Sequence, residues 1–264
     1  MRNVLRVALS RECSWIEQAA VPRILRGIDV LVFPELVDGG YAALARGRGR
    51  HTLGDALYRS FAALTRTGVP VCIAGSWLLR TPQEGVTNAS LVFRRGRCIY
   101  RYDKIHLFRA GGDTCYFSPG RTTGTFSLTA GRHRLRAGVV LCYDLRFPEL
   151  IRAMALRGMR VLFVPARWPA VRDLAWRTLL RARAIENQIF VIGCNGPGRE
   201  GGHSYVFGPL GEELFSSEGT GRRRIWEVRL PLQRLEQSRR LHDNLQDAIV
   251  LRSTAVRALL PRAR

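Results

Sequence analysis

Short apolar runs alternate with segments of helical periodicity along most of the chain. Residues 53–67 carry apolar side chains at helical spacing and end before Gly68, so they are predicted to form a helix. The apolar runs are short and uninterrupted, which predicts buried strands. In the first third of the chain these strands fall at residues 3–9, 29–33 and 71–76, with a further short helix at 15–25.

The same alternation continues through the rest of the chain. Strands at 89–93 and 98–102 flank a polar Arg-Arg-Gly-Arg stretch, which predicts a hairpin, and a loop rich in Gly and Pro spans 106–121. Beyond it, helices are predicted at 148–157 and 174–186, and strands at 137–142, 161–164, 189–194, 205–207 and 224–228. This order indicates an α/β layered fold in a single domain, residues 1–230, followed by a basic helical tail, residues 231–264.

The net charge of +21 is high for a chain of 264 residues. Such a charge marks either a partner with anionic groups, such as nucleic acid, or a compositional bias toward arginine. The arginines are scattered from Arg2 to Arg264, whereas a nucleic-acid footprint is a patch or a stripe. We therefore favour the bias and expect no nucleic-acid partner.

Several classes of protein have no support in the sequence. No stretch approaches the length of uncharged apolar sequence that spans a bilayer, and the first apolar run is too short and broken for a secretory signal. These features predict a cytoplasmic protein with no membrane partner. The six cysteines form no C-x-x-C pair and no glycine-rich phosphate loop follows a strand, which argues against zinc-ribbon, redox and nucleotide-binding motifs.

Lys104 is the single lysine among 42 Lys and Arg residues. An ammonium is a compact point charge that exchanges its proton, whereas a guanidinium is a planar fork that stays protonated. A site that needs the ammonium resists replacement by arginine, so Lys104 is a candidate functional residue. Chance survival of a surface lysine is the alternative.

Glu35, Lys104 and Cys142 each come at or just after the end of a predicted strand. Ligands of open α/β sheets bind beyond the carboxyl ends of the strands, where a thiol, an ammonium and a carboxylate would form a nucleophilic site. Taken singly, the three could be a loop ion-pair partner, a surface charge and a core cysteine. His106, between apolar neighbours, is interpreted as a structural residue rather than the base of a Cys–His dyad.

Three blocks of sequence resemble the signatures of the nitrilase superfamily of carbon–nitrogen hydrolases. They are FPEL with Glu35, YDKIHLF with Lys104 and LCYDLRFPEL with Cys142, in the order of that family. RARAIENQIFVIGCN, at 181–195, resembles a block of its amidase branches, and the wider stretch from residue 166 is similar to bacterial omega-amidase-like members. The resemblance implies a four-layer αββα sandwich, a homodimer or higher homo-oligomer, and neither metal nor organic cofactor. The tail would then pack on the domain or at a dimer interface.

The resemblance also implies a role for each residue of a Glu-Lys-Cys triad. Cys142 attacks the amide carbonyl, and Glu35 takes the thiol proton and returns it to the departing ammonia. The Lys104 ammonium and the backbone N–H of Tyr143 stabilise the oxyanion. A cation beside the sulfur also favours its thiolate form.

One position departs from the family pattern. The family often places a second Glu in the loop between the Lys and Cys blocks, and here the nearest match is Asp113, one methylene shorter. Asp113 is therefore the candidate auxiliary acid. Tyr116, Phe117, Arg167 and Trp168 are candidate substrate-binding residues, and Arg167 could bind a substrate carboxylate through its two-pronged fork.

The sequence thus predicts an amidase that cleaves a small linear amide, with a 2-oxo dicarboxylic acid monoamide such as 2-oxoglutaramate or 2-oxosuccinamate as the favoured substrate. Two alternatives remain open within the superfamily, a nitrilase and an N-carbamoyl hydrolase. A catalytically silent scaffold that binds nucleic acid through its basic surface is the alternative outside it. Arg146 and Glu186, charged residues in apolar surroundings, are predicted to form an internal ion pair or network rather than to be catalytic.

Overall fold

The computed structural model describes residues 3–16, 23–37, 39–41, 50–51, 55–81, 85–198, 201–221 and 223–248. Within these residues it has two β-sheets and five α-helices. The strands are β1 (Val4–Ser10), β2 (Val30–Val32), β3 (Arg50–His51), β4 (Val71–Ile73), β5 (Trp77–Thr81), β6 (Gly85–Arg94), β7 (Arg97–Asp103), β8 (Phe126–Ala130), β9 (His133–Val139), β10 (Met159–Ala166), β11 (Phe190–Asn195), β12 (Tyr205–Phe207), β13 (Glu213–Ser216) and β14 (Ile225–Pro231). The helices are α1 (Ala56–Thr67), α2 (Asp113–Tyr116), α3 (Pro148–Leu156), α4 (Asp173–Asn187) and α5 (Gln233–Leu241).

Each sheet has a parallel centre. In the first sheet the order is β14-β1-β2-β4-β6-β5-β3, with β7 paired to β6, and β1, β2 and β4 run parallel. In the second the order is β13-β12-β11-β10-β9-β8, and β9, β10 and β11 run parallel. Parallel strands bring their carboxyl ends to one edge of each sheet, where the loops that carry the site begin.

The two sheets pack face to face, and helices cover their outer faces. Val30 and Val32 belong to the cluster that the two sheets share, whereas Leu31 and Phe33 pack with Phe61 of α1 on the other face. Burial on both faces explains why these strands read as continuous apolar runs. The fold is therefore the expected αββα sandwich.

The helices lie directly against the second sheet. At Gly193 of β11, an added Cβ would come within 2.6 Å of both Leu180 and Trp176 of α4, so only glycine allows this approach. On the first sheet, α1 begins where the Asp55 carboxylate accepts the N–H of Tyr58 at 2.9 Å. Such a cap is worth about 1 kcal/mol.

The structure corrects three sequence-based boundaries. The strand predicted to run to Cys142 ends at Val139, and Cys142 begins a 3-10 turn, Cys142–Arg146. Val140, Leu141 and Cys142 are apolar and buried beyond the strand end, so the sequence continues the strand pattern to Cys142. The predicted loop at 106–121 contains a 3-10 turn and α2. For the helix predicted at 15–25, residues 17–22 lie outside the described residues, and the structure has a 3-10 turn at Arg23–Leu25.

The first part of the predicted tail forms α5 and contacts the sandwich. Leu232 and Leu235 belong to the central hydrophobic cluster. The buried Gln188 side-chain amide donates to the carbonyls of Ser238 and His242 at 2.9 and 2.6 Å. A domain boundary at residue 230 remains a prediction, and residues 249–264 lie outside the described part of the chain.

Candidate active site

Three strand ends from two sheets meet at one buried point. Glu35 follows β2 and Lys104 follows β7 of the first sheet, while Cys142 follows β9 of the second. Glu35 and Lys104 are almost fully buried, and Cys142 is 8% exposed. The structure therefore brings together the three residues that the sequence proposed.

Lys104 lies between two carboxylates. Its Nζ is 2.8 Å from Glu35 Oε1 and 2.7 Å from Asp113 Oδ2, and all three side chains are fully buried. Burial alone would lower the pKa of Lys104, but the neighbouring negative charges, that of Glu35 above all, outweigh it and raise the pKa well above its usual value. The ammonium is thus a fixed positive charge in the site.

Glu35 accepts hydrogen bonds from three directions. Its Oε1 accepts from Lys104 and from the Asn88 side-chain amide at 2.9 Å, and its Oε2 accepts from the backbone N–H of Arg167 at 3.2 Å. These contacts fix the orientation of the carboxylate beside the thiol. Sequence reasoning missed Asn88, which no local pattern distinguishes from other strand residues.

Cys142 occupies a strained backbone position, with φ of 44°. A positive φ is costly for a residue with a Cβ and persists where the surroundings impose it. The Glu35 carboxylate raises the pKa of the thiol and the backbone N–H of Arg167 lowers it, so both groups lie beside the sulfur. The turn thereby presents the sulfur to a base.

The surroundings of the Cys142 sulfur favour its thiol form. Burial and the negative charge of Glu35 raise the pKa of Cys142 well above its usual value, although the Lys104 charge and the Arg167 N–H oppose them. The expectation that a nearby cation favours a thiolate is therefore outweighed by desolvation and by the carboxylate. This environment suits removal of the proton by a base during attack.

Asp113 reaches Lys104 in spite of its short side chain. It begins α2, and its Oδ2 also accepts the backbone N–H of Phe108 at 3.0 Å, while Oδ1 accepts the hydroxyl of Tyr41 at 2.7 Å. The loop geometry compensates for the missing methylene. Tyr41, which sequence reasoning missed, links Asp113 to the cavity wall.

A cavity of about 260 Å³ opens onto the thiol. Its size suits a small molecule rather than the drug-sized ligands that fill roughly 300–1,000 Å³. Its wall combines the reactive groups with aromatic and cationic side chains: Tyr41, Lys104, Phe108, Gly111, Cys142, Tyr143, Arg146, Arg167, Trp168, Pro169 and Arg172.

The four candidate substrate-binding residues separate into two pairs. Arg167 and Trp168 line the cavity, whereas Tyr116 and Phe117 are not among its described lining residues. Tyr116 is 39% exposed on α2. Phe117 packs in a separate small cluster.

The guanidinium of Arg167 lines the cavity and also bonds to the loop of Glu35. Its Nε donates to the carbonyl of Glu35 and its Nη2 to the carbonyl of Leu36, both at 2.9 Å. Buried carbonyls of a loop need partners, and here they take the Nε–Nη2 edge of the guanidinium. Arg167 therefore fixes the loop of Glu35.

Arg146 is the arginine that sequence reasoning misassigned. Glu186 pairs with Arg183 at 2.8 Å, so the predicted pair with Arg146 is wrong. The Arg146 guanidinium instead lies 4.9 Å from the ring centre of Trp168 and lines the cavity. Arg172, which also lines the cavity, lies over Phe108 in the same way. The position of Arg146 four residues after Cys142 was the available signal.

The described residues contain neither a candidate metal centre nor a membrane-spanning helix. No group of three or more His, Cys, Asp or Glu side chains there could hold a metal ion. Within the same part of the chain, no helix has the length and apolar character needed to cross a membrane.

The profile of the carbon-nitrogen hydrolase family matches residues 9–240, most of the chain. The chain belongs to the carbon–nitrogen hydrolase family. The resemblance to the nitrilase superfamily, which the three sequence blocks indicated, is confirmed.

Relatives of this hydrolase support the same grouping. It is 36% identical to the 2-oxoglutaramate amidase of Bacillus subtilis over 78% of its own length and 79% of the relative. It is 32% identical to the omega-amidase YafV of Escherichia coli K12, covering 85% and 86% of the two chains. The structure of XC1258 from Xanthomonas campestris, a CN-hydrolase superfamily protein, shares its fold with a TM-score of 0.77 at 24% identity, over 95% and 99% of the chains.

Proposed function

We propose that this carbon–nitrogen hydrolase is an amidase that works through a thioester on Cys142. The observation that carries the proposal is the buried ion pair of Glu35 with Lys104, 2.8 Å long, on the same cavity as the Cys142 thiol. A base, a nucleophile and a charge stabiliser at one cavity are the parts that acyl transfer needs.

The acylation half of the reaction follows from these contacts. The sulfur attacks the amide carbon while the thiol proton passes to Glu35. Lys104 and the backbone N–H of Tyr143 stabilise the negative charge that develops on oxygen. Glu35 then protonates the nitrogen, the carbon–nitrogen bond breaks, and ammonia leaves a thioester on Cys142.

Deacylation uses the same base. Water attacks the thioester carbon and gives a proton to Glu35. The carbon–sulfur bond breaks, the carboxylic acid leaves, and the proton returns to the sulfur. Asp113 contributes by holding Lys104 through a second ion pair, with its Oδ2 2.7 Å from the Lys104 Nζ.

The substrate proposed is a small dicarboxylic acid monoamide, such as 2-oxoglutaramate or 2-oxosuccinamate. Arg146 and Arg172 line the cavity and favour an acyl group that carries a carboxylate. The names of the relatives, 2-oxoglutaramate amidase and omega-amidase, support the same class.

An ammonia-release screen tests this proposal. The panel pairs 2-oxoglutaramate and 2-oxosuccinamate with an uncharged amide of similar length, a nitrile and an N-carbamoyl amino acid. Cys142→Ala should abolish release, whereas Cys72→Ala, at another buried cysteine, should retain it. Absence of release from every amide would refute the amidase, and release from the nitrile or the carbamoyl compound alone would favour that alternative. Salt-sensitive nucleic-acid binding without hydrolysis would favour the scaffold.

Carboxylate recognition has its own test. Arg146→Gln and Arg172→Gln should each lower kcat/KM for 2-oxoglutaramate by roughly 10–100-fold, the value of a charged hydrogen bond of about 1.5–3 kcal/mol. The uncharged amide should be affected little, and Arg177→Gln, at an exposed arginine paired with Glu213, serves as the control. Equal losses on both substrates would contradict the assignment.

We also propose a homodimer in the cytoplasm. Leu156 of α3 and Leu174 and Ile185 of α4 are 38%, 81% and 43% exposed, and a second copy packed on these helices would bury them. None of the six cysteines forms a disulfide in the described part of the chain, which fits a reducing compartment. Light scattering should give twice the chain mass, and Leu174→Asp should reduce it; a wild-type monomer would refute the dimer.

A further inference from the structure

Lys104 and Cys142 belong to different sheets, so no single element fixes the distance between them. Lys104 follows β7 of the first sheet, and Cys142 begins the turn after β9 of the second. Misplacement of a reacting group by about 1 Å can cost roughly 100-fold in rate. Such a site needs a direct connection between the two segments.

The carboxylate of Asp144 makes that connection. From the second sheet it receives the backbone N–H of Leu141 on Oδ2, at 3.1 Å. From the first sheet, its Oδ2 accepts a hydrogen bond from the Tyr102 hydroxyl at 2.7 Å, and its Oδ1 accepts one from the backbone N–H of His106 at 2.8 Å. Asp144 is fully buried, and both of its carboxylate oxygens accept hydrogen bonds.

His106 adds a fourth contact from the Lys104 side. Its Nδ1 lies 2.9 Å from Asp144 Oδ1. Because a carboxylate oxygen only accepts, this contact assigns a proton to Nδ1. The ring stacks on Phe147 with centroids 3.6 Å apart, which holds the imidazole in the plane that the contact requires.

The donors bracket the reactive residues along the chain. Tyr102 and His106 lie two residues before and after Lys104, and Leu141 precedes Cys142 directly. Asp144 itself lies two residues beyond Cys142, so both the sulfur and the Tyr143 N–H sit within the segment that it closes. The same bonds stabilise the turn in which Cys142 has positive φ.

We propose that Asp144 is a positioning residue that sets the placement of the Cys142 sulfur relative to the Lys104 ammonium across the two sheets. The inference rests on the proposed amidase function. Asp144 acts through its bonds to both segments and does not contact the substrate. The His106 imidazole serves the same connection and is not a base for the thiol.

Two tyrosines of β7 provide a matched test. Tyr102→Phe removes only the hydroxyl that bonds to Asp144. Tyr100→Phe removes a hydroxyl on the same strand that bonds instead to the backbone of Gly124, with its N–H and its carbonyl each at 3.1 Å. Both variants lose hydrogen bonds of a largely buried phenol, so a merely structural role predicts similar losses of thermal stability and no difference in kcat.

The expected result is a difference in kcat. Tyr102→Phe should lower kcat about 10-fold with little change in KM, and Tyr100→Phe should stay within about twofold of the wild type. Asp144→Asn, which replaces one acceptor oxygen by a donor, should lower kcat about 100-fold. Should Asp144→Asn fail to fold, the tyrosine pair decides alone. Equal kcat in the two tyrosine variants would overturn the proposal.

Alkylation of Cys142 by iodoacetamide separates this inference from the amidase proposal. In that reaction the sulfur displaces iodide, and the thiol proton passes to Glu35. Since the charge of Lys104 lowers the pKa of Cys142, its displacement should slow labelling in Tyr102→Phe but not in Tyr100→Phe. Failure of the wild type to release ammonia would refute the function alone, whereas equal labelling rates would refute the positioning role.

Discussion

At the residue scale, the surroundings of Lys104 explain why it is the single lysine. Its ammonium fills a fully buried gap between Glu35 and Asp113, with Nζ–O distances of 2.8 and 2.7 Å. A guanidinium is larger and planar, and its donors point in a fixed fork. Selection for the compact cation accounts for a lysine in a chain that uses arginine elsewhere.

Lys104→Arg should therefore lose most of its activity. The fork cannot direct one donor to each carboxylate and another to the oxyanion, and loss of one such donor costs about 3–4 kcal/mol in the barrier, roughly 100–1,000-fold in kcat. Steady-state kinetics give the loss, and circular dichroism checks the fold. Arg97→Lys, the reverse exchange at an exposed position of β7, should leave kcat unchanged. Near wild-type turnover of Lys104→Arg would remove Lys104 from the mechanism.

Glu35→Gln should lower the pKa of Cys142 and still abolish turnover. In the wild type the carboxylate raises that pKa, whereas Lys104 lowers it, so neutralising Glu35 leaves the lowering effect less opposed. The thiolate would then form at lower pH, with no base to serve the reaction. Ultraviolet absorbance of the thiolate against pH, with Cys142→Ala as the blank, measures the shift. Glu186→Gln should change neither quantity, and an unchanged or raised pKa in Glu35→Gln would contradict the assignment.

At the element scale, the site depends on how the loops after strands are fixed. The loop after β2 is held by the side chain of Arg167, by a bond from the backbone N–H of Leu36 to Ser76 Oγ, and by the close approach of Gly75. The reactive side chains lie in loops that follow strands, and these contacts fix the position of the loop that carries Glu35. Substitutions there should affect both stability and catalysis.

Gly75→Ala tests the loop after β2. Gly75 has φ of 62°, and a Cβ there would lie 1.9 Å from the carbonyl oxygen of Pro34, next to Glu35. The backbone must move, so we expect the free energy of unfolding to fall by several kcal/mol and the activity to be lost. Gly219→Ala, with φ of 72° but open space around the added Cβ, should cost only about 1–2 kcal/mol and keep activity. Urea unfolding of the two variants compares them, and equal costs would show that the clash is relieved.

At the scale of the whole molecule, the site exists because two sheets are packed with their strand ends together. The shared core contains side chains from both sheets and from α5. The net charge of +21 has no comparable role in the site, where the Lys104 charge is balanced by two carboxylates. Packing, rather than overall charge, brings the reactive groups together.

Leu235→Ala tests whether α5 is part of the folding unit. Leu235 is 6% exposed within the shared core, whereas Leu241 on the same helix is 68% exposed. Deleting a buried leucine side chain costs about 2–5 kcal/mol, and an exposed one usually less than about 0.5 kcal/mol. Leu235→Ala should therefore lower the midpoint of urea unfolding of the whole domain, and Leu241→Ala should not. A separate early transition in Leu235→Ala would favour a domain boundary near residue 230.

The sequence predicted those features of the fold that depend on local pattern. Continuous apolar runs marked strands such as β2 and β11, and helical spacing ended by a glycine marked α1 and α3. It missed edge strands such as β13, which is partly exposed and carries little apolar signal. It extended β9 to Cys142 because Val140 and Leu141, which follow the strand, are apolar and buried like the strand itself.

By itself, the sequence determined which residues carry reactive groups at strand ends, because Glu35, Lys104 and Cys142 are tied to their elements by chain order. Only the tertiary structure decided what those groups meet. The partners of two arginines depend on groups distant in sequence. Arg167 donates hydrogen bonds to loop carbonyls, and Arg146 lies over Trp168 at the cavity instead of pairing with Glu186. The bonds of Asp144 to both sheets are of the same kind, since hydrogen-bond partners are chosen by packing and leave no local periodicity.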